Sequence, residues 1–393
     1  MFEIFLIFSL FIIFVIIKFT YHSWASPVAL YTYWSAVLII GGFWAYPEYI
    51  WGGYGLPWWI GSCFCFLFGS VLVGNTKRTV IKFSFPNIFP KMDFKQLLWA
   101  YFIIGIMYSV LMLANNGFSI LSIRSMTDIF EINNYMQGNR YGHEDLHESP
   151  IQQICLSFTY GLPICVGYML AKYSFSEIKY YCCVCFLPNL LVTSLNNTKC
   201  GVIFAAMLFI TGYLISYIES NKQPPKLSGS FIKYAGGGLM LFLTIMILAI
   251  RLRYNSDESR ASFDIIAQIF KDYLFGGTLN FDYYFDKFYD ERVQFDYLPD
   301  SNIVTANYYW INIYTYIGAL LIWIIRGVFC GILFNKLKSG LCYPLELSIL
   351  AYFFLNAMYF FIWVPFSYTT VTIGVFLLFP FFISKYRINL TTK

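Results

Sequence analysis

The chain has 393 residues, of which 59% are hydrophobic, 22% are aromatic and only 12% are charged, and its formal net charge is +5. About a quarter of the residues of a soluble domain are charged, so this composition excludes a soluble globular protein, a disordered chain and a coiled coil. It predicts an all-α, polytopic integral membrane protein in which residues 1–393 form a single transmembrane domain.

Apolar runs along the chain predict eleven membrane-spanning helices, each close to the roughly 20 residues that a bilayer requires. The predicted spans are residues 4–21, 28–46, 56–74, 97–114, 153–171, 179–195, 201–218, 234–250, 313–335, 344–361 and 366–384. Two long segments interrupt the series, at about residues 115–152 and 251–312. Segments of that length between spans usually carry function.

The positions of lysine and arginine predict the orientation, because loops on the cytoplasmic side of a membrane are enriched in both residues. One alternate set of loops, which includes the C-terminal tail, carries 16 of the 26 Lys and Arg residues. We therefore expect a multi-pass protein of a bacterial inner membrane, with a cytoplasmic C-terminus and both long segments on the periplasmic side. Those two segments also carry 15 of the 21 Asp and Glu residues.

Arginines stand at the membrane edges of the two long segments. A single arginine at such an edge can simply snorkel or pair with a nearby acid. A group of arginines suits a phosphorylated lipid, because the planar guanidinium binds phosphate oxygens bidentately. The candidates for a pyrophosphate site are Arg251, Arg253 and Arg260, followed by Arg124, Arg140 and Lys199.

His143 and His147 stand four residues apart, a spacing that puts both on one face of a helix and that could hold a metal ion. Polar pairs of this kind are also common in surface loops. We expect no metal and no cofactor, and we keep His143 as a candidate general base.

The second long segment contains the run KDYLFGGTLNFDYYFDKFYDERVQFDY, which mixes aromatic rings with carboxylates. Rings stack on the CH faces of sugars and carboxylates bind sugar hydroxyls, so the run suits a glycan. An amphipathic helix at the membrane interface is the structural alternative, and the two descriptions are compatible.

Four stretches carry a resemblance to a known family: SPVALYTYWSAVLIIGGF, LVTSLNNTKCGVIFAAM, YLFGGTLNFDYYFDKF and SNIVTANYYWINIYTYIGALLIW. In this order, with a large loop before the last three spans, they resemble the bacterial O-antigen polymerases, also called oligosaccharide repeat unit polymerases (Wzy-type). Three features depart from the family pattern. Lys199 stands where the family usually has arginine, and Arg326 lies in the middle of a predicted span. After Tyr309, Trp310 and Ile311 stand in place of the family's usual acidic residue and glycine.

The resemblance implies a lipid-dependent glycosyltransferase of GT-C-like membrane architecture. Such an enzyme transfers a growing glycan from undecaprenyl pyrophosphate onto a new lipid-linked repeat unit at the periplasmic face. It needs no nucleotide sugar or nucleic acid, and it works beside membrane lipid with a chain-length-determinant co-polymerase. Substrate contacts are then expected from Tyr273, Asp282, Tyr283, Asn302, Thr305, Tyr308 and Tyr309.

The expected mechanism follows from charge. Negative charge develops on the departing pyrophosphate, and Arg251, Arg253 and Arg260 would stabilise it more in the transition state than in the ground state. The base for the acceptor hydroxyl stays open among His143, His147, Asp257 and Glu258. A single displacement with inversion is the simplest route.

Two alternatives remain at this point. An O-antigen ligase shares the architecture but transfers the glycan to the lipid A core. A flippase or other transporter of lipid-linked oligosaccharide would favour internal symmetry and broken helices with polar groups at mid-membrane.

Overall fold

A computed structural model of the protein describes residues 2–21, 24–73, 94–119, 121, 123–141, 149–196, 200–225, 263–285, 305–360 and 369–380. Within these ranges the chain is helical and has no strand. The helices are α1 Phe2–Tyr21, α2 Pro27–Ala45, α3 Gly55–Leu72, α4 Phe94–Asn115, α5 Met126–Tyr141, α6 Pro150–Leu170, α7 Phe175–Val184, α8 Leu187–Asn196, α9 Cys200–Asn221, α10 Phe263–Tyr283, α11 Ala306–Ser339, α12 Pro344–Tyr359 and α13 Thr369–Phe376.

Eight stretches of the described chain are long and apolar enough to cross a membrane, as expected for a multi-pass membrane protein. They match eight of the eleven predicted spans. The predicted span 234–250 lies outside the described residues. The span predicted at 344–361 corresponds to α12, which has 16 residues, and only part of the span 366–384 is described.

Helix α3 and the C-terminal part of α11 run parallel and touch backbone to backbone. A Cβ atom on Gly69 would lie 2.0 Å from the carbonyl oxygen of Ile324, and one on Gly327 would lie 2.3 Å from that of Phe66. Small residues permit such an approach between membrane helices, where dispersion and packing replace the hydrophobic drive of water. This contact fixes how far along α3 each residue of α11 lies.

Helix α11 is broken near its start. Thr315 has φ 67° and ψ 174°, while its neighbours on both sides are helical. This region of φ and ψ is essentially restricted to glycine, so a β-branched residue there is strained. We call residues 306–314 the short arm and residues 316–339 the long arm.

The break is fixed by hydrogen bonds on its C-terminal side. The Tyr316 hydroxyl donates to the carbonyl oxygen of Phe285 at 2.6 Å, and the Trp58 indole donates to the carbonyl oxygen of Tyr316 at 3.0 Å. The first residue of the short arm lies next to the end of α12, where the amide of Ala306 donates to the carbonyl oxygen of Phe360 at 2.7 Å. Tyr31 of α2 contacts both Phe360 and Asn307, so the short arm starts deep inside the bundle.

We expect Gly69→Ala to destabilise the protein by about 1–3 kcal/mol, because the added methyl overlaps the Ile324 backbone. Gly61→Ala on the same helix is the control, since the nearest atom to its added Cβ lies 3.9 Å away. The control should be neutral or stabilise the helix by about 0.5–1 kcal/mol. Thermal unfolding in detergent measures both changes. Equal effects of the two substitutions would contradict the close approach.

We expect Thr315→Gly to raise the unfolding temperature, because glycine adopts the observed φ and ψ without the roughly 1–3 kcal/mol of strain. This gain exceeds the roughly 0.5–1 kcal/mol that glycine loses in chain entropy. Asn312→Gly, three residues earlier on the exposed face of the short arm, should lower the same temperature. A loss of stability in Thr315→Gly would show that the break is unstrained.

Candidate functional site

Helix α10 lies across the ends of α2 and α3, within the second predicted long segment. The Tyr46 hydroxyl donates to the Asp272 carboxylate at 2.9 Å, and the ammonium of Lys271 lies 4.5 Å from the Tyr46 ring centroid. Thr278 packs on Gly42. These contacts hold α10 at the end of the bundle where α2 finishes and α3 begins, which we call the α10 end.

Asp282 joins the last turn of α10 to the first turn of α3. Its side chain is 4% exposed, and its carboxylate accepts from the Leu56 amide at 3.3 Å and from the Tyr49 hydroxyl at 3.4 Å. The amides of Gly52 and Gly53 also donate to it. Free amides and the helix dipole make the N-terminus of α3 attractive to a carboxylate. The first role of Asp282 is therefore to cap α3.

The electrostatics of this cap follow from burial. Burial raises the pKa of Asp282, and the four donors only partly oppose that shift. Burial and the neighbouring Asp282 charge raise the pKa of Tyr49 to about 12, so its hydroxyl stays protonated and can donate. The cap is held by neutral donors, and its carboxylate carries the charge.

Aromatic rings surround this carboxylate. We call the group the α10 cluster, and its members are Tyr49, Trp51, Asp282, Tyr283 and Tyr284. The rings of Tyr49 and Trp51 meet edge to face at 4.7 Å, and Tyr283 and Tyr284 do so at 4.7 Å. Tyr283, which follows the buried Asp282, is 53% exposed.

The short arm brings a second set of predicted residues to the same part of the molecule. Thr305 and Tyr308 are buried, and Tyr309 is half-buried with its ring centroid 5.5 Å from that of Trp310. Tyr316, the first residue of the long arm, bonds to the Phe285 carbonyl and so ties the break in α11 to the end of α10. Two patches separated in the sequence thus become neighbours in the fold.

A second polar group lies deeper in the bundle, around Arg326. This residue is 9% exposed and stands ten residues beyond Tyr316, about 15 Å along the long arm. Its guanidinium carbon lies 4.6 Å from the Trp323 ring, 4.8 Å from the Trp310 ring and 5.9 Å from the Phe353 ring. Stacked rings stabilise a cation in a desolvated position. Tyr31 and Tyr352 are near enough to interact with it electrostatically.

Amide and hydroxyl groups complete this surrounding. The Tyr31 hydroxyl donates to the Oδ1 atom of Asn307 at 3.0 Å and shares a hydrogen bond with Ser62 at 2.8 Å. Three further buried residues, Thr305, Asn307 and Asn356, belong to this surrounding: Oγ1 of Thr305 and Nδ2 of Asn307 are among the buried atoms without a hydrogen-bond partner in the described part of the chain, and the Asn356 side chain bonds to Tyr352. We call these three residues, Arg326 and the rings around it the Arg326 chamber.

The remaining predicted residues are placed only in part. Arg124 is exposed at the start of α5, where its amide donates to Asp128 at 2.7 Å, and α5 packs against α8 rather than α10. Tyr273 lies in α10 and Arg140 in α5, and their side chains are outside the description. The other predicted site residues lie outside the described ranges: His143, His147, Lys199, Arg251, Arg253, Asp257, Glu258, Arg260 and Asn302.

The segment from His143 to His147 reads His-Glu-Asp-Leu-His, with a glutamate directly after the first histidine. This order fits the HExxH pattern of zinc enzymes, whose glutamate our expectation of no metal took to be absent. Because these residues lie outside the described ranges, that expectation stays a prediction. Metal analysis of the purified chain tests it directly.

The sequence did not point to the partners of Arg326. A lone charge inside an apolar span is a recognised sign of function, and Arg326 gave that sign. Asn307, Asn356 and Tyr31 come from three other parts of the chain, and nothing in their local pattern links them to Arg326.

Comparisons with protein-family models, with curated proteins and with solved structures return no match for this chain.

Asp282 and Asp128, whose pKa values shift in opposite directions, predict opposite pH dependences of stability. A carboxyl whose pKa rises on folding stabilises the fold most below its unfolded pKa of about 3.9, and the advantage is lost as pH rises through the folded pKa. The unfolding-temperature difference between wild type and Asp282→Asn should therefore shrink as pH rises above about 4.

Asp128 is the control of opposite sign. Backbone hydrogen bonds from Arg124 and Ser125 lower its pKa, so its contribution grows as pH rises and is complete above about 3.9. The difference between wild type and Asp128→Asn should widen over that acidic range. The same direction of change in both variants would contradict the burial of Asp282.

Proposed function

We propose that this chain is a membrane glycosyltransferase that polymerises lipid-linked oligosaccharide repeat units. It would transfer a growing glycan from undecaprenyl pyrophosphate onto a new lipid-linked repeat unit at the periplasmic face of a bacterial inner membrane. The observation that carries the proposal is the meeting of two sequence patches. Both patches bear the family resemblance. One begins in α10, the other covers the short arm and the start of the long arm of α11, and the Tyr316–Phe285 bond joins them.

The geometry at the α10 end suits a glycan. Tyr283 presents an exposed ring, which stacks well on the CH face of a sugar, and the buried Asp282 holds the turn that carries this ring. The short arm adds the half-buried Tyr309 on a helix. Aromatic residues on rigid elements position a ligand more accurately than residues on loops.

The proposed chemistry divides the work between these rings and the predicted cations. The rings would hold the sugar, and Arg251, Arg253 and Arg260 would stabilise the departing pyrophosphate. His143 is the proposed base for the acceptor hydroxyl, which attacks the anomeric carbon as the bond to pyrophosphate breaks. A chain-length-determinant co-polymerase is the partner that this function implies.

A second candidate function, transport of a lipid-linked oligosaccharide, is favoured by a different observation. Helix α11 is broken at Thr315, and its short arm starts deep in the bundle near Arg326. Transporters commonly bind their substrates at broken helices with polar groups near mid-membrane.

The first test is an electrophoretic gel of surface polysaccharide from a strain that lacks this chain. Polymerase loss leaves core with a single repeat unit, and the wild-type chain should restore the ladder. Core without any repeat unit would favour the transporter or the ligase. A normal ladder in the deletion strain would remove all three functions.

In the same strain, Tyr283→Ala should shorten or weaken the ladder, because the exposed ring beside Asp282 is lost. Tyr180→Ala is the matched control, since Tyr180 is 71% exposed on α7, far from the α10 cluster. Both variants should be expressed at wild-type levels. A full ladder from Tyr283→Ala, or an equal loss of the ladder in both variants, would contradict a role of the α10 cluster in glycan binding.

A further inference from the structure

An apolar groove lies on the outside of the bundle, where α4, α6 and α7 meet, and its volume is about 250 Å³. Its floor is buried on α6, at Leu162 and Val166, whereas its walls carry Trp99 of α4 and Tyr180 of α7, which are 48% and 71% exposed. The groove therefore opens away from the bundle. An apolar cavity of roughly 150 Å³ already admits a benzene molecule, so this groove has room for an apolar guest.

The groove occupies one half of the membrane thickness. Both α4 and α6, and the stretch Phe175–Leu195, are long and apolar enough to cross a membrane. Cys185, the last groove residue along α7, is the middle residue of that stretch. The helix breaks there because Pro188 has no amide to donate to the Val184 carbonyl. The groove follows about 8 Å of helix from Tyr180 to Cys185, within the roughly 15 Å of hydrocarbon in one leaflet.

Positive charge stands at the other end of the groove. The ammonium of Lys179 lies 5.1 Å from the ring centroid of Tyr180. Lys95 lies four residues before Trp99, on the same face of α4, and is near enough to Glu177 to interact with it electrostatically. The Glu177 carboxylate accepts hydrogen bonds at the start of α7, which it caps. Of these three charged side chains two are cationic, so this rim attracts an anion.

The rim lies at the end of the bundle opposite the α10 end. Lys172, just after α6, lies 3.4 Å from Glu219 near the end of α9. Lys222, just after α9, lies against Gly340 at the end of α11. Helix α11 reaches this end from its break beside α10, and α7 begins here, five residues after α6 finishes. The Lys and Arg counts of the loops predict that this end is cytoplasmic.

We propose that the groove binds one anionic phospholipid of the leaflet at this end, with an acyl chain in the groove and the headgroup beside Lys95 and Lys179. The apolar walls suit the chain, and the cationic rim suits the headgroup. Trp99 and Tyr180 stand at the level where such rings meet headgroups. The cytoplasmic leaflet is the one rich in anionic lipid. The inference is independent of the proposed function, whose glycan site lies at the α10 end.

Native mass spectrometry of the full chain, released from detergent, tests this by counting retained lipids. Phosphatidylglycerol and phosphatidylcholine with identical acyl chains are the two probes. The wild type should retain one phosphatidylglycerol more tightly than phosphatidylcholine. Val184→Phe places a ring in the groove and should weaken retention of both lipids by about tenfold or more, because two or more methylene groups lose their burial.

Val71→Phe is the matched control for the groove. Val71 is 39% exposed on α3, outside the groove, so the same substitution there should leave retention of both lipids unchanged. Wild-type retention by Val184→Phe, or an equal loss from Val71→Phe, overturns the groove as the site of the chain.

The lysines test the headgroup separately. Lys95→Gln and Lys179→Gln should each weaken phosphatidylglycerol retention by about fivefold and leave phosphatidylcholine unchanged. Lys18→Gln, an exposed lysine in the last turn of α1, is the control and should change neither. Both groove lysines are exposed, so these variants decide the matter if Val184→Phe does not fold. Equal retention of the two lipids by the wild type overturns the anionic headgroup.

A competition separates the phospholipid from the other lipid of similar chemistry. Polyprenyl monophosphate that displaces phosphatidylglycerol from the wild type, but not from Val184→Phe, overturns the choice of a phospholipid. The groove and the α10 cluster lie at opposite ends of the bundle, so variants that lose the lipid should still restore the polysaccharide ladder. Failure of the lipid site and failure of the proposed function are therefore read from different experiments.

Discussion

The approach of α3 to the long arm of α11 sets the arrangement on which both sites depend. Gly69 and Gly327 allow the two backbones to touch, and no larger side chain fits at either contact. The contact fixes the depth of Arg326 relative to the start of α3, where Asp282 caps the helix. Before the long arm the helix breaks at Thr315, and the short arm lies among buried residues of the bundle.

Aromatic packing links the α10 end to the Arg326 chamber. Phe281 of α10 meets Trp59 of α3, which meets Phe360, and Phe360 packs on Tyr31. The ring centroid of Tyr31 in turn lies 4.5 Å from that of Trp323, and the Arg326 guanidinium stacks on Trp323. A continuous series of rings thus runs from the α10 end to the Arg326 chamber. Close-packed rings of this kind leave few voids between the two parts of the bundle.

The sequence predicted the class of fold and most of the spans, because hydropathy over about 20 residues is a local property. It did not predict the break in α11. Neither glycine nor proline marks position 315, and the strained threonine is held by Trp58 and by Phe285, which are distant in sequence. Asp282 was identified as a site residue from its pattern. Its burial against α3 was not predicted, because that contact joins residues 226 positions apart. The grouping of Asn307 and Asn356 near Arg326 likewise depends on tertiary packing.

Two partly buried lysines of the described chain, Lys172 and Lys336, are held differently from Arg326. Lys172 lies 3.4 Å from Glu219, and Lys336 pairs with Glu346, so each pair joins two helices through opposite charges. Such pairs need nothing from outside the protein. Arg326 is set among ring faces, which stabilise a cation without providing acceptor oxygens of full negative charge.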